Sequence, residues 1–244
     1  TTAAQANITS LGSLTSLTVS GNLSVDGGTI KLDGNYPVGT DNVALGDTAL
    51  DSNVSGVRIT AIGSQALTAN TASDNTAIGA RAMASTTSGA NNVAVGRDSM
   101  FTNSTGAENV SVGLNTMYYN TTGSNNTALG RSALQANTTA SDNTAVGYQA
   151  GYSNTTGYIN VFLGQKAGYS NTTGYANTAV GRLALFSNTT GVQNTLIGWQ
   201  SGYNNSTGNY NVALGGGALE ANTTASNNTA VGYQAGYSFT TGGY

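Results

Sequence analysis

Four aspartates fall close together near the start of the chain: Asp33, Asp41, Asp47 and Asp51. Acids so grouped are the residue type that holds a hard divalent cation. A calcium loop, however, spaces its ligands at alternate positions around a glycine, and no D-x-[DN]-x-[DN]-G run is present. The stretch reads first as a solvated cap and second as a cation site, and no metal ligand is assigned. The chain contains neither histidine nor cysteine. That removes the usual proton shuttle, the commonest metal ligand and every thiolate or disulfide. The few acids do not recur in register, so no carboxylate pair for glycoside hydrolysis is set up. No catalytic residue and no cofactor is assigned, and the chain is expected not to be an enzyme.

Residue types suited to binding are more frequent. Tyr158, Tyr175 and Tyr210 interrupt a run of small loop residues and are the candidate ligand-binding side chains, since an exposed ring can stack on a sugar or a neighbouring chain. Asn-x-Thr sequons at Asn137, Asn154, Asn171, Asn188 and Asn222 have the form of glycan acceptors. Their strict recurrence favours a role in the turn and the ladder instead. Threonine pairs such as Thr155-Thr156 and Thr172-Thr173 would stack into rows, the kind of surface that an ice-binding solenoid presents. Arg97, Arg131 and Arg182 each follow a glycine and read as solubilising charges at a turn.

All these residues are carried by one repeated sentence. Its anchor is the glycine closing N-T/V-A-V/I/L-G, at Gly46, Gly63, Gly79, Gly96, Gly113, Gly130, Gly147, Gly164, Gly181, Gly198, Gly215 and Gly232. Each step is 17 residues except that from Gly63 to Gly79, which is 16 because a threonine is missing from the loop ANTASDN. A fixed short period marks a stacked solenoid.

Within a unit, the third residue after the glycine is small and the fourth is Leu, Met or Gly. The fifth is often aromatic, and where the fourth is glycine (Gly151, Gly168, Gly202, Gly236) it is always tyrosine. The pairing suggests one volume filled either by Leu or Met or by a neighbouring ring, with a carbohydrate-stacking stripe as the alternative. An N-T-T-G turn follows, then an asparagine and the apolar phrase, in which Thr178 and Val180 share one face and Ala179 the other. Each unit is expected to hold two short strands and two turns. The matched asparagines Asn126, Asn143, Asn160, Asn177, Asn194, Asn211 and Asn228 then form a structural ladder. About twelve rungs spaced about 4.8 Å apart make a rod roughly 55 to 60 Å long.

The expected fold class is all-β: a parallel β-roll or β-solenoid of about twelve 17-residue rungs. Residues 1–29 lie outside the repeat and read as a shaft-like β leader with a hairpin turn at Gly21-Asn22. Residues 30–46 form an irregular first rung or cap containing the one proline, and 47–244 the regular roll, its last unit truncated. Thr1 in place of methionine, together with that truncated unit, reads as a fragment or processed product. Only 7% of residues are charged, against roughly 25% in an average domain, so stability must come from stacked like residues and from burial against other copies. A net charge of -3 argues against nucleic acid, and no stretch has the roughly 20 apolar residues needed to span a bilayer.

The phrases NTAVG, NVAVG and NTAIG resemble the repeat of YadA-like heads in trimeric autotransporter adhesins, and GYQAGYSNTTG is similar to repeats in phage tail-fibre proteins. The leader SLTSLTVSGNLSVDGG also looks like a tail-fibre shaft. The resemblance covers about residues 41–244 and implies a left-handed roll, a homotrimer and a role in attachment. It departs from the adhesin pattern in its longer unit, the extra residues falling in the N-T-T-G turn. The expected function is thus a structural and attachment fibre of a virion. Its expected partners are two further copies, other virion or fibre proteins, and a host cell-surface glycan or protein receptor, with no nucleic acid and no membrane insertion. A bacterial adhesin head at the cell surface is the alternative within the same fold, and an ice-binding β-solenoid the alternative of another class.

Overall fold

The structure, a computed structural model, describes residues 40–240. The leader at residues 1–29 and most of the cap at residues 30–46 lie outside the described residues. Twelve strands of three residues each, from Val43–Leu45 to Thr229–Val231, form one parallel sheet in chain order. Twelve strands in sequence define about eleven turns of a β-solenoid, and no helix occurs among the described residues. Register pairs Thr178 with Thr195, and at the short unit Thr60 with Thr76.

The phrase T-A-V makes a strand because its two outer residues suit a pleated surface and its middle residue is small enough to face a thin interior. Ala145 and Ala179 are fully buried, while Thr144, Val146, Thr178 and Val180 turn outward and are half-buried. The strand ends at a glycine for two reasons. Gly147 has φ 137°, and a Cβ there would lie 2.6 Å from the carbonyl oxygen of Gly164 in the next rung. No side chain satisfies both conditions.

The expected second strand in each unit is replaced by consecutive turns. The second and fourth residues after each corner glycine have positive φ, as at Ser132 (58°) and Leu134 (48°), or Gln149 (55°) and Gly151 (59°). Alternation with left-handed residues destroys the pleat. Hydrogen bonding between rungs nevertheless continues: the Gln149 N–H donates to Arg131 O at 3.0 Å, and the Gly151 N–H to Ala167 O at 2.9 Å. Alternate amides bond to opposite neighbours, and the Ala150 N–H between them donates to Gly147 O in its own rung at 3.3 Å, so the backbone is satisfied without a strand.

The core between sheet and turns is one residue deep. It consists of the strand-centre alanines, the third-place alanines such as Ala133 and Ala150, and the fourth-place Leu and Met residues, among them Leu67, Met83, Met100, Met117 and Leu134. Where the fourth place is glycine, the volume is not filled by the adjoining tyrosine as expected. At Gly151 and Gly168 it is filled from across the core by Phe162 and at Gly202 by Leu196, each of which stands where most rungs have a strand-centre alanine, whereas Gly236 faces Leu219 and Phe239. The tyrosines Tyr152, Tyr169 and Tyr203 lie half-buried outside the core because the backbone turns their position outward. The missing threonine falls in the loop after Asn70, whose side-chain amide donates to Ala72 O two residues on; elsewhere the equivalent bond spans three, as from Asn154 to Gly157.

Candidate functional site

The asparagines preceding the strands are buried and form a continuous chain of side-chain bonds. Asn143 Oδ1 accepts from the Asn160 N–H at 2.9 Å and from its Nδ2 at 3.1 Å, and Asn160 Nδ2 also donates to Gly174 O at 2.9 Å. Asn126, Asn177, Asn194, Asn211 and Asn228 repeat the pattern, each accepting or donating along the axis. A second ladder runs beside the first through the asparagines of the N-T-T-G turns. Asn171 Nδ2 donates to Asn154 Oδ1 at 2.7 Å and to Gly174 O at 2.9 Å, so one glycine carbonyl joins both ladders. The sequon asparagines Asn137, Asn154, Asn171, Asn188 and Asn222 are thus buried inside this second ladder, with their amides engaged. In the folded chain they do not present glycan acceptors.

The turn threonines are similarly committed. Thr155 Oγ1 donates to Thr172 O at 3.0 Å, and Thr172 Oγ1 to Thr189 O at 2.8 Å. Only the second threonine of each pair, such as Thr156, remains exposed.

The corner glycines Gly130, Gly147, Gly164, Gly181, Gly198, Gly215 and Gly232 form a single column with φ between 127° and 140°. Of the candidate tyrosines, Tyr158 and Tyr175 are stacked on each other at 5.0 Å, while Tyr210 occupies a neighbouring place two residues after its turn glycine. All three are accessible except for Tyr175, which is half-buried. A longer stack, Tyr152, Tyr169, Phe186 and Tyr203, has centroid spacings of 5.0 to 5.1 Å. Rings stacked at the rung spacing cover each other's faces, which leaves mainly their edges for a ligand.

Charged groups pair locally rather than converge. Arg58 donates to both carboxylate oxygens of Asp74 at 2.6 and 2.8 Å, and this bonding holds the carboxyl below its ordinary range and the guanidinium above its own. Asp98 is buried between Arg81 at 2.7 Å and Arg97 at 3.1 Å. Of the turn arginines, Arg131 lies over the Tyr148 ring at 5.9 Å and Arg182 Nε donates to Gln165 Oε1 at 3.0 Å. Buried Ser99 and Ser111 lie 2.8 Å apart, and Ser111 Oγ donates to Thr116 O at 3.1 Å. These hydroxyls replace core alanines and bond internally. Among the described residues no group of three or more acids could hold a metal ion, and no helix is long and apolar enough to cross a membrane.

The outer face of the sheet carries a continuous apolar column. The last residue of each strand, Leu45, Ile62, Ile78 and so on to Val231, is aliphatic in all twelve rungs. Beside this column runs another of threonine and valine only, from Val43 to Thr229. Leu45, Ile78, Ile197 and Val231 are exposed, and the other eight are half-buried. The face was implicit in the repeated phrase, whose period of two puts two of its three residues outside. The sequon asparagines were expected to serve turn and ladder, but that they form a ladder of their own beside the first was not legible, because N-T-T-G is also an ordinary turn signal.

No protein-family model matches the chain, and no curated protein is similar to it.

Proposed function

We propose that this chain is a segment of a trimeric attachment fibre, in which three solenoids pack side by side through their sheet faces. The observation that carries the reading is the unbroken aliphatic column from Leu45 to Val231, flanked by threonine and valine and left on the surface of one chain. A contiguous apolar strip reaching the surface in every rung fits an interaction site. A column that repeats with the rungs fits a partner with the same repeat, and a second and third copy supply one. Three-fold closure would cover every copy's face equally and stiffen the rod.

The resemblance of the repeat to YadA-like heads and phage tail fibres adds a left-handed roll and a place on a virion, or alternatively on a bacterial surface. Either setting uses a stiff, repetitive rod to hold binding groups away from a particle. Presenting a weak site three times would replace affinity by avidity.

The test is the solution mass of the chain by light scattering coupled to size exclusion. A mass near three times 24.4 kDa, about 73 kDa, is expected. A monomer would overturn the trimer. It would also favour the ice-binding reading, which has one observation of its own: the outer face carries outward threonines at Thr127, Thr144, Thr178 and Thr195 beside valine, leucine or isoleucine. Thermal hysteresis of the monomer would then decide.

A further inference from the structure

Two columns of side chains flank the outer face of the sheet, one at each edge. The residue two places before each strand makes the leading column, in which the Asp142 N–H donates to Ser124 O at 3.1 Å and the Ile159 N–H to Ser141 O at 3.3 Å, one rung back. The residue after each corner glycine makes the trailing column, in which Arg131 O accepts from the Gln149 N–H and Tyr148 O from the Lys166 N–H, one rung on. These bonds hold each column in line with the rungs.

Several side chains on these edges are left unmatched within one chain. Among the described residues Asp47, Glu108, Arg131 and Asp142 have no ion pair, and Arg131 has only the Tyr148 ring at 5.9 Å. Arg97 shares the buried Asp98 with Arg81, so two cations meet one acid and a positive charge is left over. Apolar groups are unmatched too: Tyr148 and Trp199 in the trailing column are 40% and 50% exposed, and Ile159 and Tyr210 in the leading column 55% and 53%.

We infer that the partner of these edges is a second copy of this chain, its leading column set against the trailing column one rung out of step. Parallel copies arranged by rotation around an axis, with their sheet faces inward, bring the trailing edge of each to the leading edge of the next. A trailing residue stands about 1.7 Å in height from the leading residue of its own rung and about 3.1 Å from that of the following rung, so side-chain chemistry can select between them. Set against the following rung, Asp47 meets Arg58, Arg97 meets Glu108 and Arg131 meets Asp142, each of opposite charge. Tyr148 then meets Ile159, Trp199 meets Tyr210, and no like charges face each other. Set against the same rung, Asp47 would face Asp41 and Ile159 would face Gln165. One rung the other way keeps two opposite-charge pairs but puts Ile159 against Arg182 and Trp199 against Ala176. Charge at such a rim fixes register and rejects wrong pairings more than it adds affinity, which the apolar face supplies. The inference rests on the trimeric reading, to which it adds the register and the contacts between copies.

The chain has no cysteine, so introduced thiols are the only ones present. The experiment makes three variants of the full chain that share Tyr148→Cys and add Ile159→Cys, Asp142→Cys or Asn125→Cys, which test the following, the same and the preceding rung. Within one chain the strand alone holds the two edges roughly 10 Å apart, beyond the Cα separation of about 7 Å that a disulfide bridges, so only a link between copies forms. Under a mild oxidant, Tyr148→Cys with Ile159→Cys is expected to give a covalent trimer and nothing larger on a denaturing gel, about tenfold faster than either other variant. Equal rates in the three, a faster reaction with Asp142→Cys or Asn125→Cys, or no cross-linked species in any of them overturns the register. Light scattering of the same samples before oxidation separates the two ideas. A trimer of about 73 kDa with the wrong pattern refutes the register and spares the fibre, whereas a monomer removes both.

Discussion

Phe162 occupies the space left by Gly168 so closely that a β-carbon on that glycine would run into its ring, and Gly151 lies against the ring's other edge. Most rungs solve the same packing problem with the pieces exchanged, a strand-centre alanine facing a fourth-place Leu or Met. Backbone angles do not prevent the exchange, since Leu134 and Leu185 have φ of 48° and 53° where Gly151 and Gly168 have 59° and 60°.

Phe162→Ala should therefore lower stability by roughly 3 to 5 kcal/mol, the cost of an unfilled aromatic cavity. Adding Gly151→Leu and Gly168→Leu should recover most of it, although Gly168→Leu alone should be strongly destabilising. Chemical denaturation of the variants measures each step. Failure of the triple variant to recover would mean that Phe162 is not exchangeable with the fourth-place side chain.

The asparagine ladder gives a contrast within one chain. Asn177 is buried, accepts from the Asn194 N–H and Nδ2, and donates to Gly191 O, so Asn177→Ala strips partners from two rungs at once. The expected loss is about 1 to 3 kcal/mol per buried group left unpaired. Asn222 is different. Its Oδ1 already lacks a partner, because Phe239 stands at the position that would continue the second ladder. Asn222→Ala should cost less than Asn177→Ala, and equal shifts in melting temperature would mean that the asparagines act as turn formers alone.

Much of this architecture was legible because the repeat states it twelve times. The period fixed the rungs, the T-A-V alternation fixed which residue faces inward, and the missing threonine marked the loop where one residue is dispensable. The turn side was less legible. Leu134 and Gln149 have ordinary helix or strand preferences, and only packing against identical neighbours above and below makes their left-handed backbone tolerable. The filling of the glycine places was misread for a similar reason: Phe162 and its partners Gly151 and Gly168 lie across the core from one another, and nothing local in the sequence links them.

Charge should matter to this fold only far from neutral pH. Asp74 accepts two hydrogen bonds from Arg58, which lowers its carboxyl pKa in the folded state. A lowered folded pKa contributes stability above the unfolded value and loses it as pH falls through the folded one. The raised Arg58 value acts in the opposite sense, at pH far above neutrality. Because the chain has no histidine, melting temperature should be flat across neutral pH. A carboxyl NMR titration should place the Asp74 midpoint below that of an ordinary aspartate and return it toward that value in Arg58→Gln. An unshifted midpoint would mean that this exposed pair does not persist in solution.

Insertions separate the two sides of the rung. A residue added beside Thr155 falls in a turn whose counterpart after Asn70 already exists one residue shorter, with the flanking strands still in register. The added residue can bulge into solvent, so the melting temperature should change little. A residue added between Thr178 and Val180 meets a different constraint. The period of two would carry Val180 inward, against the fully buried Ala184 in a core one residue deep, and turn an apolar position of the outer column to a different register. That variant should lose both its cooperative melt and any association through the sheet face. Equal tolerance at the two sites would contradict the rung as built here, because it would mean that the strand's alternation is not what holds the core closed.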